Sequence, residues 1–306
     1  MDLEILGWRR YSQSQKNIEN FSLENIARVA VENRGGYLLY SQFGELEGIV
    51  QGKFIKKAEK ESDYPKVGDW VNIVKLQGEQ KAVIESILPR FSKLSRRRIS
   101  KDRSEINKQQ EEQIIATNID IVFIMQGLDA DFSLERLNRY MEAVKNGGAH
   151  PVVLLNKCDL IKNPTEKKAD VLAENPGGEI FLVSAKTGHG LAEVKNLISE
   201  KSVVFVGSSG VGKSTLANAL LGIDLQKIQE VRVNDSKGRH TTTKREMFLL
   251  SSGGILIDTP GMRELEPWEK QTEFAQEKAK NNAKRKIKNG RLARALIKRP
   301  EFTKDK

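Results

Sequence analysis

Cysteine is almost absent from this 306-residue chain: Cys158 is the single one, which excludes a disulfide framework and any zinc site built on several cysteines. That scarcity fits a reducing compartment. No apolar run reaches the roughly twenty residues that a membrane-spanning helix needs. The opening Met1-Asp2-Leu3-Glu4-Ile5-Leu6-Gly7-Trp8-Arg9-Arg10 lacks the basic flank followed by an apolar stretch that marks a secretory signal. The expectation is a cytoplasmic protein with no membrane partner. Acidic residues are outnumbered, 41 against 51 Lys and Arg, for a net charge of +10 that favours a polyanionic partner such as RNA. The excess is uneven: residues 268–306 hold thirteen Lys/Arg and five Asp/Glu. A basic, helical tail over 267–306 is therefore expected, either an arm that meets phosphates or a solvated helix that aids solubility.

At this length two ordinary domains with extensions fit, each able to bury a core without covalent staples. After an N-terminal extension (1–25), the pattern over 26–91 is that of short strands. Ala27-Arg28-Val29-Ala30-Val31 alternates, Gly35-Gly36 turns, and strand-like runs follow at 37–40, 46–50, 70–74 and 82–87, separated by turns such as Pro65-Lys66-Val67-Gly68-Asp69. Four or five short strands in that span predict a small barrel, with an OB-fold the leading candidate in a basic protein and other small barrels compatible. Residues 92–115 carry Lys93, Arg96, Arg97, Arg98, Lys101 and Arg103 with little apolar periodicity and read as a basic linker. From 116 to 266 buried strands alternate with amphipathic helices: apolar runs at 119–125, 151–155, 179–183, 203–206 and 255–257 predict a largely parallel α/β sheet.

Chemistry-bearing motifs sit at the ends of those strands. Gly207-Ser208-Ser209-Gly210-Val211-Gly212-Lys213-Ser214, followed by Thr215, has the spacing of a P-loop directly after a strand and before a helix. Its glycines let backbone N–H groups turn toward phosphates, the helix N-terminus adds its dipole, Lys213 is the group to reach β and γ oxygens, and Ser214 is a magnesium ligand. Asn156-Lys157-Cys158-Asp159 ends the strand 151–155 in the form that reads guanine. A carboxylate at Asp159 accepts from the ring N–H and exocyclic amine of guanine, a donor pair adenine lacks. Asn156 braces the loop, and the Lys157 stem can lie along the ring. Ser184-Ala185-Lys186 fits the loop whose backbone N–H meets the guanine carbonyl. Asp258-Thr259-Pro260-Gly261 fits the second switch, with Asp258 holding magnesium through water and the Gly261 N–H sensing the γ-phosphate. Gly238-Arg239-His240-Thr241-Thr242-Thr243 fits the first switch, in which one of the threonines is the expected magnesium ligand; Thr242 is assigned to it.

The order of these motifs is unusual, because the base-reading loops precede the P-loop. A circularly permuted domain is implied, with the helix-like segment 191–201 as the join and the cut falling just after the second switch. Whatever follows Gly261 is then coupled in sequence to a segment that senses the γ-phosphate.

With Gly-Arg-His-Thr-Thr-Thr at 238–243, Pro65-Lys66-Val67-Gly68-Asp69-Trp70, the P-loop, Asp258-Thr259-Pro260-Gly261-Met262-Arg263-Glu264-Leu265 and this order, the chain resembles the RsgA (YjeQ) family of circularly permuted GTPases over roughly residues 5–268. The resemblance implies a multi-domain architecture: an N-terminal β-barrel of the OB-fold, an α/β P-loop GTPase domain, and the basic tail. It implies magnesium with GTP as cofactor, GTP and GDP as ligands, and the small ribosomal subunit and its rRNA as partners. Hydrolysis slow alone, stimulated by the subunit and coupled to release of the factor would follow. A monomer is expected.

Two features depart from the pattern. Where many GTPases place a water-orienting glutamine this chain has Met262, whose thioether cannot position a water. The resemblance transfers that role to His240, beside Lys213 the catalytic candidate. Family members also carry a zinc segment with three cysteines and a histidine; with Cys158 the only cysteine and no histidine after His240, no zinc is expected, and Lys284-Arg285-Lys286 with Lys298-Arg299 are candidates for RNA contacts instead. The competing reading is a GTP/GDP-sensing RNA-binding module with negligible hydrolysis.

Overall fold

The computed structural model describes residues 1–16, 18, 21–33, 35–98, 111–129, 131–222 and 245–259, all inside one unit, Met1–Glu266. After helix α1 (Trp8–Ser14) the chain forms β1 (Ile26–Asn33), β2 (Gly36–Ser41), β3 (Gly44–Val50), the short helix α2 (Gly52–Lys57), β4 (Trp70–Lys75) and β5 (Lys81–Ile87). These five strands pair in the order β1-β2-β3-β5-β4, and β4 returns to β1 to close a barrel. Only β3 and β5 run parallel; the other neighbours are antiparallel. That is the OB arrangement, which the run of short strands led one to expect. Register shifts at Val29/Val31 and Asn72/Ile73 supply bends that closure of a small barrel requires. Ala27, Val29, Leu39, Leu46, Val71, Ile73, Ala82 and Ile84 fill the interior.

The alternation in β1 predicts one buried face, yet six of its eight residues are buried. Its outer face is covered as well. Leu3, Leu6, Trp8, Tyr11 and Ile18 pack with Ile26, Trp70 and Leu88, so residues expected as an extension form an apolar wedge against the barrel. Arg28, on that outer face, is fully buried and donates to the carbonyls of Leu6, Gly68 (3.2 Å) and Asn118 (3.0 Å). Its guanidinium also lies 5.3 Å from the centre of the Trp70 ring. Burial lowers its pKa from the ordinary arginine value to about 10, opposed by the charges of Asp120 and Asp69. Arg10 reaches Asp120 at 2.9 Å, and the second oxygen of Asp120 accepts from Ser202 N at 2.8 Å. The N-terminal segment thereby contacts both the barrel and the domain that follows.

The expected basic linker contains two strands, β6 (Lys93–Arg98) and β7 (Glu111–Thr117), paired antiparallel. Leu94, Ile115 and Ala116 are buried in the core of the second domain, and Lys93 pairs with Glu112 at 2.8 Å across the ribbon. Residues 99–110 lie outside the described residues. The ribbon was hidden from a periodicity reading because charged residues such as Lys93, Arg96 and Glu112 interrupt its apolar positions and its two halves are separated in sequence.

The second domain continues with β8 (Ile121–Gly127), α3 (Leu134–Asn146), β9 (His150–Asn156), α4 (Pro164–Glu174), β10 (Glu179–Leu182), α5 (Leu191–Ile198), β11 (Ser202–Gly207), α6 (Lys213–Leu221), β12 (Glu246–Leu249) and β13 (Ile255–Asp258). The strand order is β10-β9-β8-β11-β13-β12, parallel except for β12. Alternate residues of the strands feed two cores. Val122, Ile124, Val153, Leu155, Val204 and Val206 meet α3 through Leu137, Tyr140, Met141 and Val144. Ile121, Phe123, Met125, Val152, Leu154, Val203 and Phe205 meet α5 and α6 through Val194, Ile198, Leu216 and Leu220. A strand buried on both faces reads as the continuous apolar run seen in the sequence. The strand β11 stands at the middle of the sheet although β8, β9 and β10 precede it in the chain, and α5 joins β10 to it; this is a permuted order. A single residue pair, Val31 with Glu246, links β12 to β1 and carries the sheet into the barrel. Among the described residues no helix is long and apolar enough to cross a membrane.

Candidate nucleotide-binding site

The carboxyl ends of β8, β9, β10, β11 and β13 lie side by side, the edge at which open parallel sheets bind ligands. The loop after β11 turns through Gly207, Gly210 and Gly212, with φ of 146°, 75° and 104°. At Gly212 a glycine is required twice over: the backbone is left-handed, and a Cβ would stand 2.3 Å from Asn156 Nδ2. The loop runs into α6, whose N-terminal amides and dipole favour an anion. Ser209 and Gly210 at the loop tip and Ser214 and Thr215 in the first turn of the helix are exposed, while Val211 is buried beneath them.

Lys213 stretches back across the loop, and its ammonium donates to the carbonyls of Gly207 at 2.6 Å and Ser208 at 2.7 Å. Burial pushes its pKa down; the charge of Asp258, at the end of β13, opposes that. The ammonium is thus held against the loop's own carbonyls, partly withdrawn from water.

Asn156, at the end of β9 and 2% exposed, ties three distant motifs together. Its Nδ2 donates to the Val211 carbonyl at 2.7 Å, and its Oδ1 accepts from Ala185 N at 3.0 Å. The two contacts fix the orientation of the amide, since the exchanged placement would set donor against donor and acceptor against acceptor. Next to it Lys157 adopts a left-handed backbone with φ 63°, and a short turn over Cys158–Leu160 follows. Cys158 N donates to Val183 O at 3.3 Å. Burial first, and the charge of Asp159 second, push the Cys158 thiol up, so Cys158 serves as packing while Asp159 is exposed beside it. Ser184 is buried: its hydroxyl accepts from Thr187 N at 3.1 Å, and its carbonyl accepts from Gly188 N at 2.8 Å. These bonds shape the loop that presents Ala185 and the exposed Lys186.

The oxygen chemistry suits magnesium. A serine hydroxyl at the head of α6 and a carboxylate at the end of the neighbouring strand β13 are hard ligands, and magnesium usually takes one or two protein oxygens along with phosphate and water. His240, Thr242 and Gly261, with Met262 and the basic tail, lie outside the described residues.

One group of residues was not found by motif reading. Asp129, just past β8, pairs with Lys157 Nζ at 2.6 Å, and Asp131 accepts from the Ser208 hydroxyl at 2.5 Å. Arg136 reaches Asp131 at 3.0 Å and Gln126 Oε1 at 3.2 Å. The available signal was positional: Gly127-Leu128-Asp129 ends an apolar strand just as Asn156 and Gly207 do.

A protein-family model described as RsgA GTPase matches residues 87–268. Among curated proteins, small ribosomal subunit biogenesis GTPase RsgA 2 of Lactiplantibacillus plantarum is 38% identical over 267 residues, covering 87% of this chain and 73% of that protein. Small ribosomal subunit biogenesis GTPase RsgA of Opitutus terrae is 37% identical over 280 residues, with coverage of 88% and 74%. Of solved structures, YjeQ from Thermotoga maritima aligns with a TM-score of 0.56 at 24% identity over 78% of this chain and 74% of that one. YloQ, a circularly permuted GTPase, aligns at 0.54 and 24% identity over 82% and 76%. The two alignments place barrel and permuted sheet in the same fold.

Proposed function

Because this chain belongs to the RsgA GTPase family, we propose that it hydrolyses GTP as a biogenesis factor of the small ribosomal subunit, binding the subunit and its rRNA late in maturation and leaving after hydrolysis. The observation that carries the nucleotide part is the tie from Asn156 to Val211 and Ala185. One amide sets the distance between the phosphate loop and both base-reading loops, as a ligand with a base at one end and phosphates at the other requires. The net charge of +10 supports an RNA partner, and the barrel and the tail at 267–306 are the surfaces proposed to meet it. On this reading the protein works in the cytoplasm, and we propose that it does so as a monomer.

In this reading Asp159 accepts from the guanine ring N–H and amine, and Ala185 N–H faces the guanine carbonyl. The N–H groups of residues 208–215 cradle the phosphates. Lys213 exchanges the carbonyls of Gly207 and Ser208 for β and γ oxygens, holding positive charge where the transferred phosphoryl group gains negative charge. Ser214, Asp258 and Thr242 would hold magnesium, which when bound neutralises phosphate charge. His240 orients the attacking water, since Met262 cannot. Gly261 senses the γ-phosphate.

The test is GTP turnover by the full chain with and without small subunits, with co-sedimentation in a non-hydrolysable analogue and in GDP. Turnover that rises with subunits, and binding favoured by the analogue, are expected; unchanged turnover without co-sedimentation would remove the ribosomal part. Met262 favours one second reading, a GTP sensor with negligible hydrolysis. Stimulated turnover that is lost in His240→Ala excludes it.

A further inference from the structure

Asp129 and Asp131 form an acidic pair beside the site that the nucleotide motifs do not account for. The Lys157 ammonium is held 2.6 Å from Asp129 Oδ2. The other oxygen of Asp129 accepts from Asp131 N at 3.2 Å, and Asp131 in turn receives the Ser208 hydroxyl. The path runs from the base-reading loop to the second residue of the phosphate loop. Gly127 makes room for it, because a Cβ there would stand 2.8 Å from Asp129 Oδ1. The left-handed backbone at Lys157 starts the side chain in a direction that ordinary residues rarely take. With its far end held at Asp129, the four-methylene stem bridges the end of β9 and the end of β8.

Resting on the reading of the site as one for guanine nucleotides, we propose that Asp129 is a positioning residue for the base. By anchoring Lys157 Nζ, it holds the lysine stem as a preformed apolar wall of the base pocket, with Asp131 and Ser208 fixing that wall relative to the phosphate loop. A free lysine has several rotatable bonds to order when the base arrives; an anchored one has lost that freedom already. The wall contacts the base, which GTP and GDP share, so both are bound better by the same factor and the chemical step is untouched.

The experiment measures affinity for fluorescently labelled GDP and a labelled non-hydrolysable GTP analogue, with steady-state GTP turnover, for the full chain and for Asp129→Ala, Asp129→Asn, Lys157→Met and Asp129→Ala/Lys157→Met. Asp129→Ala should weaken both nucleotides equally, roughly five- to tenfold, and raise KM with kcat at saturating GTP retained. Asp129→Asn, which keeps an acceptor oxygen, should fall between it and wild type and guards against a loss of folding in the alanine variant. Since Asp129 acts through Lys157, Asp129→Ala should add nothing in the Lys157→Met background. Additive losses in that cycle, a change in kcat, unequal effects on GDP and the analogue, or unchanged affinity in Asp129→Ala would overturn the proposal. Wild-type protein that binds neither nucleotide would remove the underlying reading; wild-type binding with an unaltered Asp129→Ala removes only this inference.

Discussion

Asn156 Nδ2 donates to the Val211 carbonyl at 2.7 Å across a sequence separation of 55 residues. A residue at the end of one strand thus sets the curvature of a loop after another. Substituting Asn156 with Ala leaves a buried carbonyl and the Ala185 N–H without partners. The fold should lose about 1–3 kcal/mol, read as a lower urea midpoint. Affinity for GDP should fall by at least tenfold, since the phosphate and base loops no longer share an anchor.

Asp159 stands exposed at the same end of the sheet, so exchanging it should alter selectivity without much effect on stability. Asp159→Asn replaces a double acceptor with a group that donates, which matches a xanthine ring better than guanine. Competition of xanthosine and guanosine diphosphates for labelled GDP should show the preference inverted. Unaltered base selectivity would mean that Asp159 does not face the base.

Two ion pairs of similar length should differ widely in energetic weight. The Lys66 side chain is 2% exposed, with Glu32 at 2.9 Å and Glu61 at 3.6 Å. Glu32 also lies 3.7 Å from Arg245, at the start of the segment leading into β12. Glu32→Gln deprives a buried ammonium of its nearest charge and should cost about 3 kcal/mol. Arg10→Ala, which breaks the exposed 2.9 Å pair with Asp120, should cost about 1 kcal/mol or less. Urea denaturation of both variants checks the contrast.

Tyr11 gives a pH signature. Burial first, and the charge of Asp69 second, push its phenol well above the ordinary value, and its hydroxyl donates to Pro89 O at 2.7 Å. The folded protein keeps a proton that the unfolded chain releases near pH ~10. This share of stability is complete below that pH and is lost as pH rises toward the folded value. Tyr11→Phe should be about 1 kcal/mol less stable at pH ~8, and the gap to wild type should narrow as the pH is raised from about 9 to about 11. A gap independent of pH would contradict burial of the neutral phenol.

The barrel, the parallel sheet and the loops at 156–159, 184–186 and 207–212 were legible because each is written locally. Short alternating runs make the barrel strands, continuous apolar runs make β8, β9 and β11, and glycine spacing marks the loop from Gly207 to Gly212. The wedge at the N-terminus was not legible, because what holds it is remote in sequence: Arg28 finds acceptors 22, 40 and 90 positions away. The ribbon of β6 and β7 escaped for a related reason, since Leu94 and Ile115 are buried by contacts its own charged pattern does not announce. Asp129 carries no motif of its own, and its significance comes from Lys157, 28 positions away.

The placement of Arg28 also bears on how the chain is made. As synthesis proceeds from the N-terminus, the carbonyls of Leu6 and Gly68 are available once the barrel has emerged, but the third acceptor belongs to Asn118, and Ser202, which meets the Asp120 that holds Arg10, comes later still. A nascent barrel alone cannot dehydrate this guanidinium on the same terms as the finished protein. Its full set of acceptors therefore waits for the second domain, although either pattern, taken alone, reads as a separate fold.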